Sequence, residues 1–337
     1  MKVQSLSDIY SSLDVQNSTV FVVPQIRFDY PDTDYLFLLY KPILNSEKFT
    51  IKSTSIFGHY KFVLKAATSK DVILHYHWLE FQDLKSILGT PWKLTCIFLF
   101  KLFGGKIIWT VHNLSPHTNR WVKLHKSLHS WMANISDKVH IHCNSVSDLI
   151  SDTFNIDGKK LCLLPHPTFP ATEINKESSI QFLESKFNIK LSPRKPVLLY
   201  FGNISEYKNI EASIDLIRSN NLDVQIIIAG PVKKGQEALA KRLENRNQKD
   251  QNCFLILQFI EESDIPYFFG ATDFCFFNYD KILTSGSVEM ALSYNKTIIA
   301  PDLGCLSDLR NNENVYLFSN EKEKIQLLKT ITSTLSR

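Results

Sequence analysis

The chain has 337 residues, of which 44% are hydrophobic and 21% charged, a composition typical of a globular protein with two ordinary domains. The formal charge of +4 is unevenly placed, because residues 1–165 carry 18 basic and 13 acidic side chains and the remainder carries 20 and 21. This diffuse basic bias suits an anionic substrate or a membrane surface, and it argues against a nucleic-acid interface.

The six cysteines are widely spaced, form no CxxC pair and mostly lie in apolar runs. This pattern is typical of small core residues in a reducing compartment. The N-terminal stretch lacks the apolar region of a signal peptide, and no apolar run approaches the roughly 20 residues that a transmembrane helix needs. We therefore expect a cytoplasmic protein.

Short apolar runs predict the strands of one sheet in the first half of the chain. These runs are residues 19–24, 71–77, 106–111, 138–143 and 161–164. His77 ends the second run and His112 follows the third, with Trp78, Glu80 and His117 just beyond them. Ligands of open α/β sheets collect at the carboxyl ends of the strands. Imidazoles placed there suit hydrogen bonding or proton transfer at neutral pH, and their spacing is not that of a zinc site.

Between the second and third of these strands, residues 91–103 leave almost no polar face. Pro91 can open a helix there and Gly104 can end it, with lysines at both ends of the run. Such a helix either fills a core or rests on a lipid surface, and the sequence leaves both alternatives open.

We divide the chain into a first domain of residues 1–165, a proline-rich linker of residues 166–195, a second domain of residues 196–320 and a C-terminal helix of residues 321–337. In the second domain, apolar strands alternate regularly with helices, which predicts a parallel, doubly wound sheet. This domain has no GxGxxG turn. A dinucleotide-dependent oxidoreductase therefore loses its main support.

Within the second domain, residues 273–300 predict a strand, a polar turn, a helix and a further strand. Ser285, Gly286 and Ser287 form the turn, where the free N–H groups of a helix N-terminus attract phosphates. Glu289, in the first helical turn, can accept hydrogen bonds from the hydroxyls of a ribose. Alternatively, the serines merely cap the helix and Glu289 merely complements its dipole.

Four stretches of the chain resemble the GT-B glycosyltransferases, especially the family-4-like bacterial enzymes that build surface polysaccharides. They are HYHW (75–78), WTVHNLSPH (109–117), FGNISEYKNI (201–210) and SGSVEMALSYNKTIIAPDLG (285–304). The resemblance covers most of the chain. It implies two Rossmann-like, doubly wound domains that face each other across a cleft, with a nucleotide-diphosphate sugar on the second domain and the acceptor on the first.

The resemblance also implies roles for individual residues of the second domain. Gly202 matches the glycine that lets the diphosphate approach, Lys208 the cation that pairs with it, and Glu289 the carboxylate that binds the ribose. Ile260 falls where such enzymes hold the base through backbone groups. Independently of the resemblance, a departing nucleoside diphosphate needs a cation and oriented N–H donors, which Lys208 and the Ser285–Gly286–Ser287 turn can supply.

Two positions depart from the family pattern. Asn203 stands where the family usually has an arginine after the strand glycine, so we expect Asn203 to lie at the donor site without supplying a cation. Lys281, beside Asp280, stands where the family has a glutamate that contacts the donor sugar. Neither the donor sugar nor the stereochemical course can therefore be read from the sequence.

For the first domain we predict His112 and Glu80 as catalytic residues, and His77, Trp78 and His117 as acceptor-binding residues. If the reaction retains configuration, His112 positions the donor and the acceptor. If it inverts, a general base takes the proton of the acceptor hydroxyl, and Glu80, Asp29 or His112 can do so.

The predicted function is the metal-independent transfer of a hexose-type sugar from UDP or GDP to a hydroxyl group of a lipid-linked or polysaccharide acceptor in bacterial surface glycan synthesis. No cofactor other than this donor and no nucleic-acid partner is expected, and a peripheral position on an anionic inner membrane face is left open. Two alternatives also remain open. The first is a nucleotide-sugar epimerase on the same fold, and the second is a non-catalytic GT-B subunit that binds a partner glycosyltransferase.

Overall fold

A computed structural model describes residues 1–15, 17–79, 88–114, 122–248 and 250–335. The chain divides into two compact units, unit 1 (Met1–Pro167) and unit 2 (Thr168–Arg337). Each unit contains one six-stranded sheet in which every neighbouring pair of strands is parallel. The two-domain, doubly wound α/β class predicted from the alternating pattern is confirmed.

The sheet of unit 1 has the strand order β2-β1-β3-β4-β5-β6. Its strands are β1 (Ser18–Val23), β2 (Phe49–Ser53), β3 (Val72–Tyr76), β4 (Lys106–Thr110), β5 (Lys138–Ile141) and β6 (Leu161–Leu163). The order reverses between β1 and β3, and the crevice at such a reversal is where open α/β sheets bind ligands. The loops after β1 and β3 are therefore the first places to look for a site.

Six helices of unit 1 are described. They are α1 (Leu6–Ser11), α2 (Tyr35–Tyr40), α3 (His59–Thr68), α4 (Thr90–Leu102), α5 (Val122–Ile135) and α6 (Ser147–Phe154). Helices α1 and α2 cover one face of the sheet, where Tyr10 and Tyr40 join a buried cluster with Val20, Ile73 and Ile108 of the strands. This face is apolar near the amino ends of the strands. It becomes rich in histidine toward their carboxyl ends.

Helix α4 matches the apolar run predicted as a helix, and it has a buried side and an exposed side. Ile97 and Phe100 are fully buried, whereas Phe98 is 58% and Leu102 is 66% exposed. Because the apolar residues surround the helix on all sides, one stripe packs into unit 1 and the other reaches the surface. None of the described helices is long and apolar enough to cross a membrane.

The sheet of unit 2 has the strand order β12-β11-β10-β7-β8-β9. Its strands are β7 (Val197–Phe201), β8 (Gln225–Ala229), β9 (Cys253–Ile256), β10 (Phe274–Phe276), β11 (Thr297–Pro301) and β12 (Val315–Phe318). Here the order reverses between β7 and β10, so the loops that follow these two strands form the ligand-binding crevice expected of this topology. Both loops had been selected from the sequence.

Unit 2 contributes six further described helices. They are α7 (Lys176–Phe187), α8 (Ile210–Ser219), α9 (Glu237–Asn247), α10 (Ile265–Ala271), α11 (Gly286–Ser293) and α12 (Glu321–Leu335). Helix α12, predicted as a separate C-terminal helix, places Leu328 and Ile331 in the core of this unit. Cys96 and Cys162 of unit 1 and Cys253 and Cys275 of unit 2 are buried free thiols, as predicted for these four.

Most of the segment predicted as a linker, residues 166–195, belongs to unit 2. Helix α7 packs against α10, where Phe182 stacks on Tyr267 with ring centroids 3.7 Å apart. The Nζ atom of Lys186 donates to both carboxylate oxygens of Asp264 at 2.7 Å. The segment's prolines and polar residues suggested a linker. Helix α7 has few apolar residues because only Ser179 and Leu183 of its twelve residues are buried.

Candidate functional site

A buried lysine lies beside the reversal point in unit 2. The chain leaves β7 through Gly202, whose φ of +88° is readily adopted by glycine, and a short turn brings Lys208 back toward the strand end. The Nζ atom of Lys208 donates to the carbonyl of Phe201 and to Oγ of Ser287, both at 3.1 Å. The hydroxyl of Ser287 donates to the same carbonyl at 3.1 Å. We call Gly202, Lys208 and Ser287 the lysine cradle.

The cradle adjoins the N-terminus of α11. Ser285 caps this helix, since its Oγ accepts a hydrogen bond from the N–H of Val288 at 3.3 Å, and it lies 3.0 Å from the hydroxyl of Tyr279. The N–H groups of Gly286 and Ser287 make no hydrogen bond to any residue that the structure describes. Two free donors and the helix dipole therefore point in the direction that an anion would occupy.

Burial shifts both ionisable side chains of this region toward their neutral forms. It lowers the pKa of Lys208 to about 8 and raises the pKa of Glu289 to about 7. Lys208 is 6% exposed and forms no salt bridge with a described carboxylate. A buried cation without a counter-ion is costly, and a bound phosphate would supply one.

Other residues predicted for donor binding lie around the cradle without a contact to it in the described chain. Asn203 follows Gly202 and is exposed. Ile260 is 5% exposed in the loop after β9, two strands away from β7 in the same sheet. The structure therefore brings Gly202, Lys208, Ser285, Gly286 and Ser287 together and leaves Asn203 and Ile260 at the periphery of the region.

In unit 1, the reversal point is occupied by a set of aromatic rings around Tyr35, which begins α2. Ring centroids lie 4.9–5.7 Å from that of Tyr35. We call this set the aromatic cluster, and its members are Tyr35, His77, Trp78, His112, His142 and His166. His112 stacks on Trp78 with ring centroids 4.3 Å apart and an interplanar angle of 12°.

Beneath the cluster, a chain of hydrogen bonds crosses the sheet from β6 to β3. Nε2 of His140 lies 2.8 Å from the carbonyl of Leu164, and its Nδ1 lies 2.9 Å from Oγ1 of Thr110. Oγ1 of Thr110 lies 2.9 Å from Nε2 of His75. The Nδ1 atom of His75 is within 2.8 Å of two tyrosine hydroxyls, those of Tyr10 and Tyr40.

The directions of these hydrogen bonds follow from the carbonyl at the end of the chain. A carbonyl only accepts, so Nε2 of His140 donates, and in a neutral ring Nδ1 then accepts from Thr110. Thr110 in turn accepts from Nε2–H of His75. The same argument gives His142 an Nδ1–H that donates to Leu164 and an Nε2 that accepts from the Tyr35 hydroxyl at 3.3 Å.

These histidines are neutral at pH 7. Burial, reinforced by neighbouring histidines, lowers the pKa of His75, His77, His112 and His142 well below 6.5. Burial also lowers the pKa of His140 and His166 to about 4. Nε2 of His112 has no hydrogen-bond partner among the described residues. In a neutral ring one nitrogen carries the proton, so Nε2 accepts a hydrogen bond in one tautomer and donates one in the other.

The predicted residues of unit 1 differ in exposure. His77 and His112 are 1% and 9% exposed, and Nε2 of His77 lies 3.0 Å from the hydroxyl of Tyr40. Trp78 is 36% exposed and presents an open ring. Glu80 and His117 lie outside the described residues. Only Trp78 of the three described predictions therefore offers a sizeable solvent-facing surface to a ligand.

Sequence reasoning did not select Tyr35, His142 or His166 as site residues. A signal for His142 was nevertheless present, because HYH at 75–77 and HIH at 140–142 place pairs of histidines on one face of a strand. Tyr35 gave no such signal, since it begins a six-residue helix after an irregular loop. Within the described ranges, no group of three or more His, Cys, Asp or Glu side chains is arranged to hold a metal ion.

The chain was compared with known proteins. No protein-family model matches it. A GDP-mannose:glycolipid 4-beta-D-mannosyltransferase of Xanthomonas campestris pv. campestris is 25% identical over 249 residues, which are 70% of this chain. The match spans 63% of the length of that relative.

Solved structures extend the likeness to nearly the whole chain. Anabaena Alr3699/HepE in complex with UDP has a TM-score of 0.63 and 13% identity, covering 95% of this chain and 92% of that one. A glycosyltransferase from Rickettsia africae ESF-5 has a TM-score of 0.62 and 16% identity, covering 94% and 88%. Starch Synthase IV from Arabidopsis thaliana, bound to ADP and acarbose, has a TM-score of 0.59 and 15% identity, covering 83% and 69%. The chain therefore has the two-domain GT-B fold, and the predicted resemblance to GT-B glycosyltransferases is confirmed.

Proposed function

We propose that the protein is a glycosyltransferase that moves a hexose-type sugar from a UDP or GDP sugar to a hydroxyl group of a lipid-linked or polysaccharide acceptor. The mannosyltransferase relative makes GDP-mannose with a glycolipid acceptor the first pair to test. We place the nucleotide at the lysine cradle of unit 2 and the acceptor at the aromatic cluster of unit 1.

The single observation that carries this proposal is Lys208. It is a buried cation without a described counter-ion, 3.1 Å from Ser287 at the N-terminus of α11. A diphosphate there would accept hydrogen bonds from Lys208 and from the free N–H groups of Gly286 and Ser287. These donors would also stabilise the charge that develops on the diphosphate as it leaves the sugar. We assign Glu289, two residues after Ser287, to the ribose hydroxyls.

The aromatic cluster suits a neutral, hydroxyl-rich acceptor. Aromatic rings offer apolar faces to the C–H surface of a sugar, and neutral imidazoles can both donate and accept hydrogen bonds. The exposed ring of Trp78 supplies the open face. The unpartnered Nε2 of His112 can form a hydrogen bond with a hydroxyl group of the acceptor.

In the proposed reaction, a hydroxyl oxygen of the acceptor forms a bond to the anomeric carbon of the donor sugar. The bond between that carbon and the β-phosphate oxygen breaks, and the nucleoside diphosphate departs with the bonding electron pair. If configuration inverts, His112 or Glu80 takes the hydroxyl proton. If it is retained, the proton goes to the departing diphosphate and His112 positions the two substrates.

We further propose that the reaction needs no metal ion, because Lys208 and the helix N-terminus can neutralise the diphosphate. The donor sugar would serve as substrate, and no resident cofactor is part of the proposal. A lipid-linked acceptor would place the enzyme at an anionic cytoplasmic membrane face.

Nucleotide binding is tested first, by thermal shift with UDP, GDP, ADP and CMP without added metal. A ligand at 100 times its dissociation constant stabilises the folded state by roughly 2.7 kcal/mol, which raises the melting temperature measurably. We expect a shift with UDP or GDP that is lost in Lys208→Ala. Lys296→Ala is the matched control, because Nζ of Lys296 also donates to a backbone carbonyl, that of Thr272, at 3.0 Å. Lys296 precedes β11, whereas Lys208 follows the carboxyl end of β7.

Transfer is tested with the nucleotide sugar that the first experiment selects and a panel of glycolipid acceptors, with products followed by mass spectrometry. We expect kcat/KM to fall by roughly 100- to 1000-fold in Lys208→Ala, the range found for loss of one donor that stabilises a transition-state anion. Absence of any nucleotide-induced shift would contradict the proposal. Conversion of the nucleotide sugar without an acceptor would instead identify an epimerase.

A further inference from the structure

Three described helices of unit 1 expose apolar side chains. These side chains are Tyr60 (47% exposed) and Leu64 (61%) on α3, Trp92 (44%), Phe98 (58%) and Leu102 (66%) on α4, and Leu124 (52%) on α5. Single exposed apolar residues are ordinary, but contiguous exposed apolar patches often mark interaction surfaces, and Phe98 and Leu124 line one groove. We call these exposed residues of α3, α4 and α5 the apolar helical surface.

Packing contacts join α3 to α4, and α4 and α5 line a common groove. Helices α3 and α4 pack together through the rings of Phe62 and Phe100, whose centroids are 5.4 Å apart. The indole N–H of Trp92 donates to the carbonyl of Ile56 at 3.0 Å, which fixes the start of α4 against the turn before α3. The surface therefore belongs to packed helices with a defined orientation, and it is not a frayed segment.

Between α4 and α5 the surface contains a groove of about 510 Å³. Its walls are almost entirely apolar, with the hydroxyls of three small residues as the polar exceptions. The lining residues are Thr90, Leu94, Thr95, Phe98, Leu124, Ser127, Leu128 and Trp131. A groove with these walls fits a hydrocarbon chain better than a sugar or a nucleotide, both of which need several polar partners.

The charges on these helices have one sign. Helices α3, α4 and α5 carry six lysines and no aspartate or glutamate. Lys93 is buried, and Lys101 pairs with Asp137 at 2.6 Å. The other four lysines are exposed beside the apolar residues, and they are Lys61, Lys65, Lys123 and Lys126.

We propose that the apolar helical surface docks on an anionic lipid bilayer and that the groove between α4 and α5 takes a hydrocarbon chain of that bilayer. Exposed apolar side chains ringed by lysines are complementary to such a surface, because the rings enter the acyl boundary while the ammonium groups contact lipid phosphates. A second copy of this chain is a poor occupant, since a symmetric interface would bring the basic surface against itself.

This inference deepens the proposed function, because a lipid-linked acceptor would lie in the same bilayer. Its test does not depend on that function, since docking is measured without nucleotide or acceptor. A protein that floats with vesicles but binds no nucleotide would contradict the proposed function alone. A protein that binds a nucleotide but ignores vesicles would contradict the docking alone.

Docking is tested by flotation of the full chain with vesicles of phosphatidylcholine alone or mixed with phosphatidylglycerol. We expect binding to the mixed vesicles that falls by roughly two to three orders of magnitude when Lys61, Lys65, Lys123 and Lys126 are all changed to Glu, at about 1 kcal/mol for each basic residue near the membrane. The matched control changes four exposed lysines of unit 2 to Glu, namely Lys234, Lys241, Lys322 and Lys329. It alters the net charge equally and should leave binding intact.

Trp131 lines the groove, so its fluorescence can report whether an acyl chain enters. Phosphatidylglycerol vesicles whose acyl chains carry bromine should quench the tryptophan fluorescence of the wild type, and Trp131→Phe should remove a distinct part of that quenching. Ser127→Phe, which fills the groove, should reduce the Trp131 component while vesicle binding persists. Flotation without a Trp131 component would overturn the groove assignment. Absence of flotation with mixed vesicles, or a stable dimer whose formation buries this surface, would overturn the docking.

Discussion

The two points at which the strand order reverses differ in the charge of the side chains around them. In unit 1 the crevice is lined by the uncharged rings of the aromatic cluster. Beneath them, hydrogen bonds run from the carbonyl of Leu164 through His140 and Thr110 to His75. In unit 2 the crevice holds Lys208 and Glu289, both ionisable and both without a described ion-pair partner. The described residues of the first crevice are therefore neutral at pH 7, whereas the second contains a buried cation.

The two units also differ in how completely their polar groups are hydrogen-bonded. Unit 1 is internally satisfied along its histidine chain, so its stability depends on keeping those rings neutral. Unit 2 keeps unsatisfied donors at Lys208, Gly286 and Ser287, so part of its binding energy remains available to a ligand. Experiments that change pH, packing or a single hydroxyl should therefore affect the two units differently.

The largest difference between the two units should be in their stability at acid pH. A histidine with pKa 4 in the folded state and 6.5 in the unfolded state contributes stability that is complete above pH 6.5 and is lost as the pH falls toward 4. For His140, with a folded pKa of about 4, the loss below that pH is about 3 kcal/mol. The other buried histidines of unit 1 have lowered pKa values for the same reason, so their protonation adds to the loss.

We therefore expect unit 1 to lose hydrogen-exchange protection between pH 6 and 4, while unit 2 keeps it. Exchange measured by mass spectrometry on peptides from β3, β4 and β5 against peptides from β8 checks this. His140→Gln, which removes one titrating ring, should shift the acid transition of unit 1 to lower pH. Earlier loss of protection in unit 2 would show that the buried histidines do not control acid stability.

Sequence predicted most of the strands because both sheets are parallel and covered on both faces, so most strands are short apolar runs. The edge strand β2 (Phe49–Ser53) was not predicted, because it contains polar residues and only Phe49 of it is buried. Residues 106–111 and 197–201 needed no tertiary information to be recognised. The stretch QFLESKFNI (181–189) looks helical in the sequence, but we assigned it to the linker, because nothing local shows that Phe182 and Lys186 of α7 contact α10.

The site was predicted unevenly for a related reason. The cradle residues Gly202 and Lys208 are six positions apart and Ser287 lies in a recognisable turn, so local pattern and resemblance sufficed. Tyr35 lies more than 40 residues before His77 in the chain, and only the packing of α2 on the sheet brings their rings within 5.7 Å. Long-range side-chain placement of this kind has no local signature.

The contact between Gly202 and Gly230 offers a packing test in unit 2. A Cβ atom added to Gly230 would lie 2.3 Å from the carbonyl oxygen of Gly202, and the φ of Gly230 is +143°. We expect Gly230→Ala to destabilise unit 2 by about 3 kcal/mol and to weaken nucleotide binding by displacing Gly202. Thermal unfolding and nucleotide titration measure the two effects.

Gly235→Ala is the matched control, because Gly235 also has a positive φ, +84°, but its added Cβ would meet nothing within 4 Å. Only the conformational cost of about 1 kcal/mol should remain, and nucleotide affinity should be unchanged. Equal losses in the two variants would mean that backbone strain, and not the contact with Gly202, determines the result.

Removing a single hydroxyl should matter more in unit 1 than in unit 2. Thr110→Val leaves Nδ1 of His140 without its donor and Nε2–H of His75 without its acceptor, which costs about 2 kcal/mol. Thr272→Val is the control, since Thr272 is also buried but its hydroxyl donates only to the carbonyl of Phe268 at 2.7 Å. Denaturant titration should show a loss below 1 kcal/mol for the control, and equal losses would contradict the proposed directions of the histidine chain.

Nucleotide affinity should depend on alkaline pH through unit 2 alone. Lys208 in the free protein has a pKa of about 8, and a bound diphosphate favours its protonated form. Above pH 8, where Glu289 with its pKa of about 7 is already ionised, the affinity should fall about tenfold, or 1.4 kcal/mol, for each further pH unit because binding must then take up a proton. The histidines of unit 1 are already neutral in this range and should contribute nothing.

Isothermal titration calorimetry from pH 8 to 10, in buffers of different ionisation enthalpy, measures both the affinity and the proton uptake. Lys208→Gln keeps a hydrogen-bond donor but cannot titrate, so its weaker affinity should be independent of pH across the same range. Lys296→Gln is again the control and should retain the slope of the wild type. A slope that persists in Lys208→Gln would assign the proton to another group and would separate the lysine cradle from the diphosphate, because the cation in contact with the anion must be the one whose pKa rises on binding.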